Sequence, residues 1–240
     1  SPVYAPNVPG MCGACHADAE YMSDFGIETD QYDEYKKSVH GKALLENNDV
    51  RGAPACNDCH GNHGAAPPSV DAVSNICGAC HSYNAELFQG SPLAPAFREK
   101  SLADCVACHG KHLITHVAEE WEGPKPGATC RKCHEKGEEG SELALYFTDT
   151  FVSVRQSFDE IEQLLAEAEA KGMDVTEGED YAEAARQSLM QARTLVHAFS
   201  RSVLEEKVME ISENQAAALE AGYSALRAFD DRRRGLAISS

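Results

Sequence analysis

All ten cysteines of this 240-residue chain fall into five copies of one short pattern. The copies are Cys12-x-x-Cys15-His16, Cys56-x-x-Cys59-His60, Cys77-x-x-Cys80-His81, Cys105-x-x-Cys108-His109 and Cys130-x-x-Cys133-His134, and no cysteine remains for a structural disulfide. CxxCH is the attachment signature of a c-type haem. Two thiols at this spacing can form thioethers with the two vinyl groups of one porphyrin, and the adjacent histidine then reaches the iron as its proximal ligand. A redox dithiol needs only CxxC. A zinc site joins CxxC to a second pair or to spaced histidines. Neither explains a histidine directly after the second cysteine five times over. The expectation is five covalently bound haems, tethered by the ten cysteines, with His16, His60, His81, His109 and His134 as proximal ligands.

This pattern explains an otherwise awkward composition. Residues 1–140 hold 20 Leu, Ile, Val and Phe, about 14%, in the range where a bare polypeptide stays disordered. Five large flat apolar cofactors supply the core that the aliphatic residues cannot, and without them this half should not fold. Turn-forming residues punctuate it: Gly61-Asn62-His63-Gly64, Pro67-Pro68, and Gly123-Pro124-Lys125-Pro126-Gly127. The expected class is mainly α: a haem-cored N-terminal domain, 1–140, with little regular structure, then a long antiparallel C-terminal helical hairpin, 141–240.

The net charge is -18, and each half contributes equally. No basic face is available for nucleic acid. No apolar run approaches the roughly 20 residues of a membrane span. No signal peptide is visible, and Ser1-Pro2-Val3-Tyr4 suits either a mature N-terminus or a trimmed chain.

Five further histidines, His40, His63, His112, His116 and His197, equal the number of expected irons. They are candidate distal ligands, making most or all haems bis-histidine. His40 lies in Ser38-Val39-His40-Gly41, and His63 and His112 each follow a proximal histidine by three residues. At that spacing a side chain cannot easily curl to the far face of its own haem, so a neighbouring haem is the better target. His116 stands four residues from His112, on the same face if the segment is helical; it either serves an adjacent haem or is a bystander. His197 lies inside a helical pattern and is either a ligand or a polar residue of a scaffold. Met11 and Met22 are alternative axial ligands, and methionine would raise that haem's potential.

Repeated CxxCH, the Ser-x-His-Gly element and CxxCH-Gly-x-His-Gly resemble the multihaem c-type cytochromes of bacterial respiration. These include pentahaem electron carriers and the cytochrome c nitrite reductase and hydroxylamine oxidoreductase superfamily. The resemblance covers roughly residues 10–135. It implies long C-terminal helices and a periplasmic or extracellular location, with membrane anchoring in some members. No motif here ends in lysine, unlike the catalytic haem motif of the nitrite reductases, which puts that activity in doubt.

Beyond residue 141 cysteine and proline vanish. Ala144, Phe147, Phe151, Val154, Phe158, Ile161, Leu165 and Ala168 recur at alternating spacings of three and four, an apolar stripe predicting a helix over about 141–170. Gly172 suits the position just past its end, and Glu177, Glu179 and Asp180 favour the start of the next. That helix is expected over about 179–233, either unbroken or bent near Gly222. It carries one stripe from Ala185 to Val203 and another from Leu204 to Phe229, related by a stutter. Arg232-Arg233-Arg234-Gly235 then reads either as a helix C-terminus with Gly235 past its end, or as the edge of a membrane anchor lying beyond the chain.

The expected function is electron transfer between respiratory redox partners. Two histidine ligands leave no open position for substrate, and the acidic surface favours partners with a basic docking patch. A haem reductase for nitrite, hydroxylamine or a sulfur oxyanion, or a gas or redox sensor, would need one open iron. The hairpin is also a candidate surface for homo-oligomer formation.

Overall fold

The structure is a computed structural model and describes residues 1–62, 73–115 and 128–238. It is mainly helical, with no strand among the described residues. The chain divides into two compact units, Ser1–Ala118 and Glu119–Ser240. Four of the five motifs lie in the first unit. The fifth, grouped with them by composition, lies in the second with the long helices.

The first unit is built from short helices: α1 (Val8–His16), α2 (Ala19–Met22), α3 (Gln31–Lys37), α4 (Val39–Leu45), α5 (Cys56–His60), α6 (Val73–Gly78), α7 (Ser82–Gln89), α8 (Leu93–Glu99) and α9 (Asp104–His109). Local side-chain bonds start several of them. Asp18 accepts the N–H groups of Glu20 and Tyr21, both at 3.0 Å, at the head of α2. Asp58 accepts the Ala55 N–H at 2.7 Å at the head of α5. Such caps are worth about 1 kcal/mol each, which matters for helices too short to be stable alone. Apolar packing is sparse. One cluster joins Val8, Leu44, Ala53 and Ala55, with Tyr35 and the motif residues Cys12 and Cys56 against it. Meanwhile Met11, Tyr83 and Leu113, each within two residues of a motif cysteine or a candidate ligand, are exposed.

The second unit has an ordinary core. The stripe from Ala144 to Ala168 is buried at all eight positions, on α10 (Glu139–Ala170). Its end is a Schellman motif: Met173 N–H bonds the Ala168 carbonyl at 3.1 Å and Gly172 N–H the Glu169 carbonyl at 2.8 Å, with Gly172 at φ 74°. The sequence expectation for Gly172 is met.

The expected second arm is corrected by the structure. It is two helices, α11 (Thr176–Leu195) and α12 (Arg201–Ile238), joined by a 3₁₀ turn at Val196–Ala198. The chain reverses where Phe199 adopts a left-handed φ of 47°, not near Gly222, which lies buried inside α12. What reads as a stutter is therefore two helices, each with its own inward stripe. The longer arm folds back on itself. Ser188 of α11 donates to Glu210 of α12 at 2.7 Å, and Gly178 approaches Ala218, so these helices run antiparallel. Gln215 of α12 donates to the Val154 carbonyl of α10 at 2.9 Å, and Tyr223 to Glu160 at 3.2 Å, so α10 and α12 run parallel. The result is an up–down–up three-helix bundle containing an antiparallel hairpin, α11–α12. α12 continues through Gly235, so this glycine does not terminate it. No helix among the described residues is long and apolar enough to cross a membrane.

Candidate cofactor and metal-ligand site

The motifs sit on single helical turns. Three lie on α1, α5 and α9, the third begins in α6, and the fifth lies on a 3₁₀ turn, Thr129–Lys132. A helical turn brings residues i, i+3 and i+4 to one face, so the two thiols and the histidine of one CxxCH are presented together. Where the regular helix stops early the turn is still closed: His81 N–H bonds the Cys77 carbonyl at 2.9 Å, and His134 N–H the Cys130 carbonyl at 3.0 Å. The ten cysteines form no disulfide with one another, and the first of each pair is partly buried.

Two glycines end these turns at the proximal histidines. Gly61 and Gly110 follow His60 and His109 directly, at φ 82° and 77°, a region that side-chain-bearing residues avoid. Their N–H groups close the turns on the Asn57 and Val106 carbonyls at 2.8 and 2.9 Å. After Gly110 the chain carries His112 away from its own motif and against His60.

Neighbouring motifs are brought together through their thiols. Burial and the adjacent Cys12 push the Cys56 thiol up to about 11. A hydrogen bond with Cys105 holds Cys77 well above the usual thiol range, and burial adds to this. Cys59 lies within electrostatic range of Cys80. The first motif thus adjoins the second, the second the third, and the third the fourth.

Two pairs of imidazoles face each other across motifs. The rings of His40 and His81 have centroids 6.2 Å apart and planes inclined by 29°. Those of His60 and His112 are 6.0 Å apart and inclined by 25°. Two imidazoles bound to opposite sides of one metal, each through a bond of about 2 Å, hold their centroids roughly 6 Å apart. Each pair joins one expected proximal ligand to one expected distal ligand from a different motif's surroundings. Burial, and then the facing His81, hold His40 below the usual histidine range. Burial, then His60 and Lys111, do the same for His112. Neutral imidazole is the form that binds a metal.

The local sequence positions these rings. Ser38 caps α4: its Oγ accepts the Gly41 N–H at 2.9 Å and donates to the Tyr35 carbonyl at 2.6 Å. A Cβ at Gly41 would penetrate the Tyr35 carbonyl oxygen, so only glycine lets α4 lie this close to the end of α3. Ser-x-His-Gly is thus a cap and a close contact that together aim His40. The Val39 N–H bonds the Ile114 carbonyl at 2.8 Å, tying the His40 segment to that of His112.

The fifth motif adjoins the start of α10. Arg131 donates to the His134 carbonyl at 2.7 Å, Glu138 Oε2 lies 3.6 Å from His134 Nδ1, and a Cβ at Gly140 would collide with the His134 ring. His197 sits in the 3₁₀ turn between α11 and α12, with Nδ1 2.9 Å from the Thr194 carbonyl.

Two carboxylates stand beside nitrogens of candidate ligands. Glu138, four residues after His134, was discoverable from that spacing. Glu34, 3.8 Å from His112 Nδ1, was not, because tertiary packing brings it there. His112 Nδ1 is buried and has no hydrogen-bond partner. His63 and His116 lie outside the described residues. Met11 is exposed and Met22 buried.

Among the described residues no three His, Cys, Asp or Glu side chains form a group able to hold a bare metal ion. Attachment of a porphyrin at its rim, with imidazoles on either side of its metal, requires no such convergence. The paired imidazoles, flanking thiols and exposed apolar neighbours fit that kind of group. No protein-family model, curated protein or solved structure matches the chain.

Proposed function

We propose that this chain is a multihaem c-type cytochrome that transfers electrons between respiratory redox partners in the periplasm or outside the cell. Five covalently bound c-type haems would be tethered at Cys12/Cys15, Cys56/Cys59, Cys77/Cys80, Cys105/Cys108 and Cys130/Cys133. The single observation that carries this reading is the facing of His40 with His81 and of His60 with His112, at the separation of two ligands on one metal. When bound, haem supplies a one-electron iron couple whose potential is set by ligands, burial and nearby charge.

The chain's own residues do the rest. Cysteines would fix each group at its edge, and His40 and His112, brought to His81 and His60 from other segments, would help hold the metal and leave no open position for substrate there. Short, capped helices hold these side chains in place, and adjacent motifs keep neighbouring groups close. The acidic surface, net -18, favours a partner with a basic docking patch and an association that weakens with salt.

The test is the spin state of the matured protein. Low-spin ferric signals from every haem, with no shift on adding carbon monoxide after reduction, support an electron carrier. A high-spin ferric signal and carbon monoxide binding would instead favour a haem enzyme or gas sensor.

A further inference from the structure

We propose that His197 is the second axial ligand of the haem tethered at Cys130 and Cys133, opposite His134, so that the three-helix bundle carries part of the redox site. This rests on the reading of the motifs as haem sites. It goes beyond that reading by giving the helical bundle a chemical role and by assigning one histidine to one iron.

Three observations lead there. The first is placement within the second unit. The His134 ring lies against the first turn of α10 at Gly140. The next turns of α10 are level with the α11–α12 turn: Leu143, Tyr146 and Val196 pack on one cluster, and the Arg201 guanidinium lies 4.2 Å from the Tyr146 ring centre. The fifth motif and the turn that bears His197 therefore share one end of the bundle.

The second is the state of the ring. The Thr194 carbonyl can only accept, so Nδ1 of His197 donates to it across 2.9 Å. In the neutral ring the lone pair is then on Nε2, the nitrogen on the far side of the ring. Metal-bound histidines are oriented in this way, with the other ring nitrogen donating to a backbone carbonyl or carboxylate. Glu138 stands near the corresponding nitrogen of His134.

The third is the backbone. The 3₁₀ turn and the left-handed Phe199 interrupt what is otherwise helical from 176 to 238. A bulky residue rarely adopts the left-handed conformation. The reversal places His197 at the bundle's end and not along its side.

The test uses the full chain matured with haem. His197→Ala should keep five covalent haems by intact mass and convert one of them to high spin, with carbon monoxide binding rising by one equivalent per chain. Added imidazole should restore the low-spin state. In a Cys130→Ala/Cys133→Ala background carrying four haems, His197→Ala should add no high-spin signal. Should His197→Ala fail to fold, His197→Met gives a second readout: a methionine–iron charge-transfer band and one midpoint potential moved upward. An unchanged low-spin spectrum in His197→Ala would overturn the assignment. So would a new high-spin signal in the four-haem background, which would mean that His197 serves another haem. Absence of covalent haem from the unsubstituted chain would instead defeat the underlying functional reading.

Discussion

His112 faces His60 at 6.0 Å, although it follows the fourth motif and His60 belongs to the second. A candidate ligand from the segment after His109 is thus brought to a motif that precedes it in the chain. Replacing His112 with alanine should leave five haems attached but open one iron, seen as a high-spin ferric signal. His112→Met should keep the iron six-coordinate and raise one midpoint potential, measured by spectroelectrochemistry.

Gly41 tests how His40 is aimed. Gly41→Ala should cost about 1–3 kcal/mol by overpacking against the Tyr35 carbonyl. Ser38→Ala should cost about 1 kcal/mol by loss of the cap. Thermal unfolding gives both values. The same variants should broaden or shift the signal of one low-spin haem, whereas a surface substitution such as Lys37→Ala should not.

Haem removal should act unequally on the two units. Among the described residues the first has a small apolar cluster around Leu44, while the second has a core running from Phe147 to Ile211. The chain produced without haem attachment should therefore keep a cooperative helical transition from the bundle while residues 1–118 lose dispersed amide resonances. Within the bundle, Ile161→Ala removes a fully buried side chain and should cost about 2–5 kcal/mol, lowering that transition specifically.

These outcomes also mark what was legible beforehand. The cysteine pattern and the α10 stripe are local and periodic, so they could be read directly, as could Gly172. The reversal at Phe199 could not: Val196-His197-Ala198-Phe199-Ser200 contains neither glycine nor proline. Only the mismatch between the stripes before and after Val203 hinted at it. The histidine pairings were hidden for a different reason. They depend on long-range contacts such as Val39 N–H to the Ile114 carbonyl, which no spacing along the chain records.

The bundle should weaken in acid. Lys207, and Ser188 donating to Glu210, hold the Glu210 carboxyl below its usual range. A carboxyl with a lowered folded value adds stability above its unfolded value of about 4.3, and this is lost as pH falls through the folded value. Glu210→Gln should reduce the slope of bundle stability against pH on that acid limb, read by urea unfolding at several pH values.

The proposed role of the ten thiols, taken in pairs, is to tether five haems. Intact mass spectrometry of the chain, produced in cells competent for cytochrome c maturation, tests it most directly. A mass gain of five haems that survives denaturation and organic extraction is expected. An unmodified mass, or haem removed entirely by extraction, would contradict it.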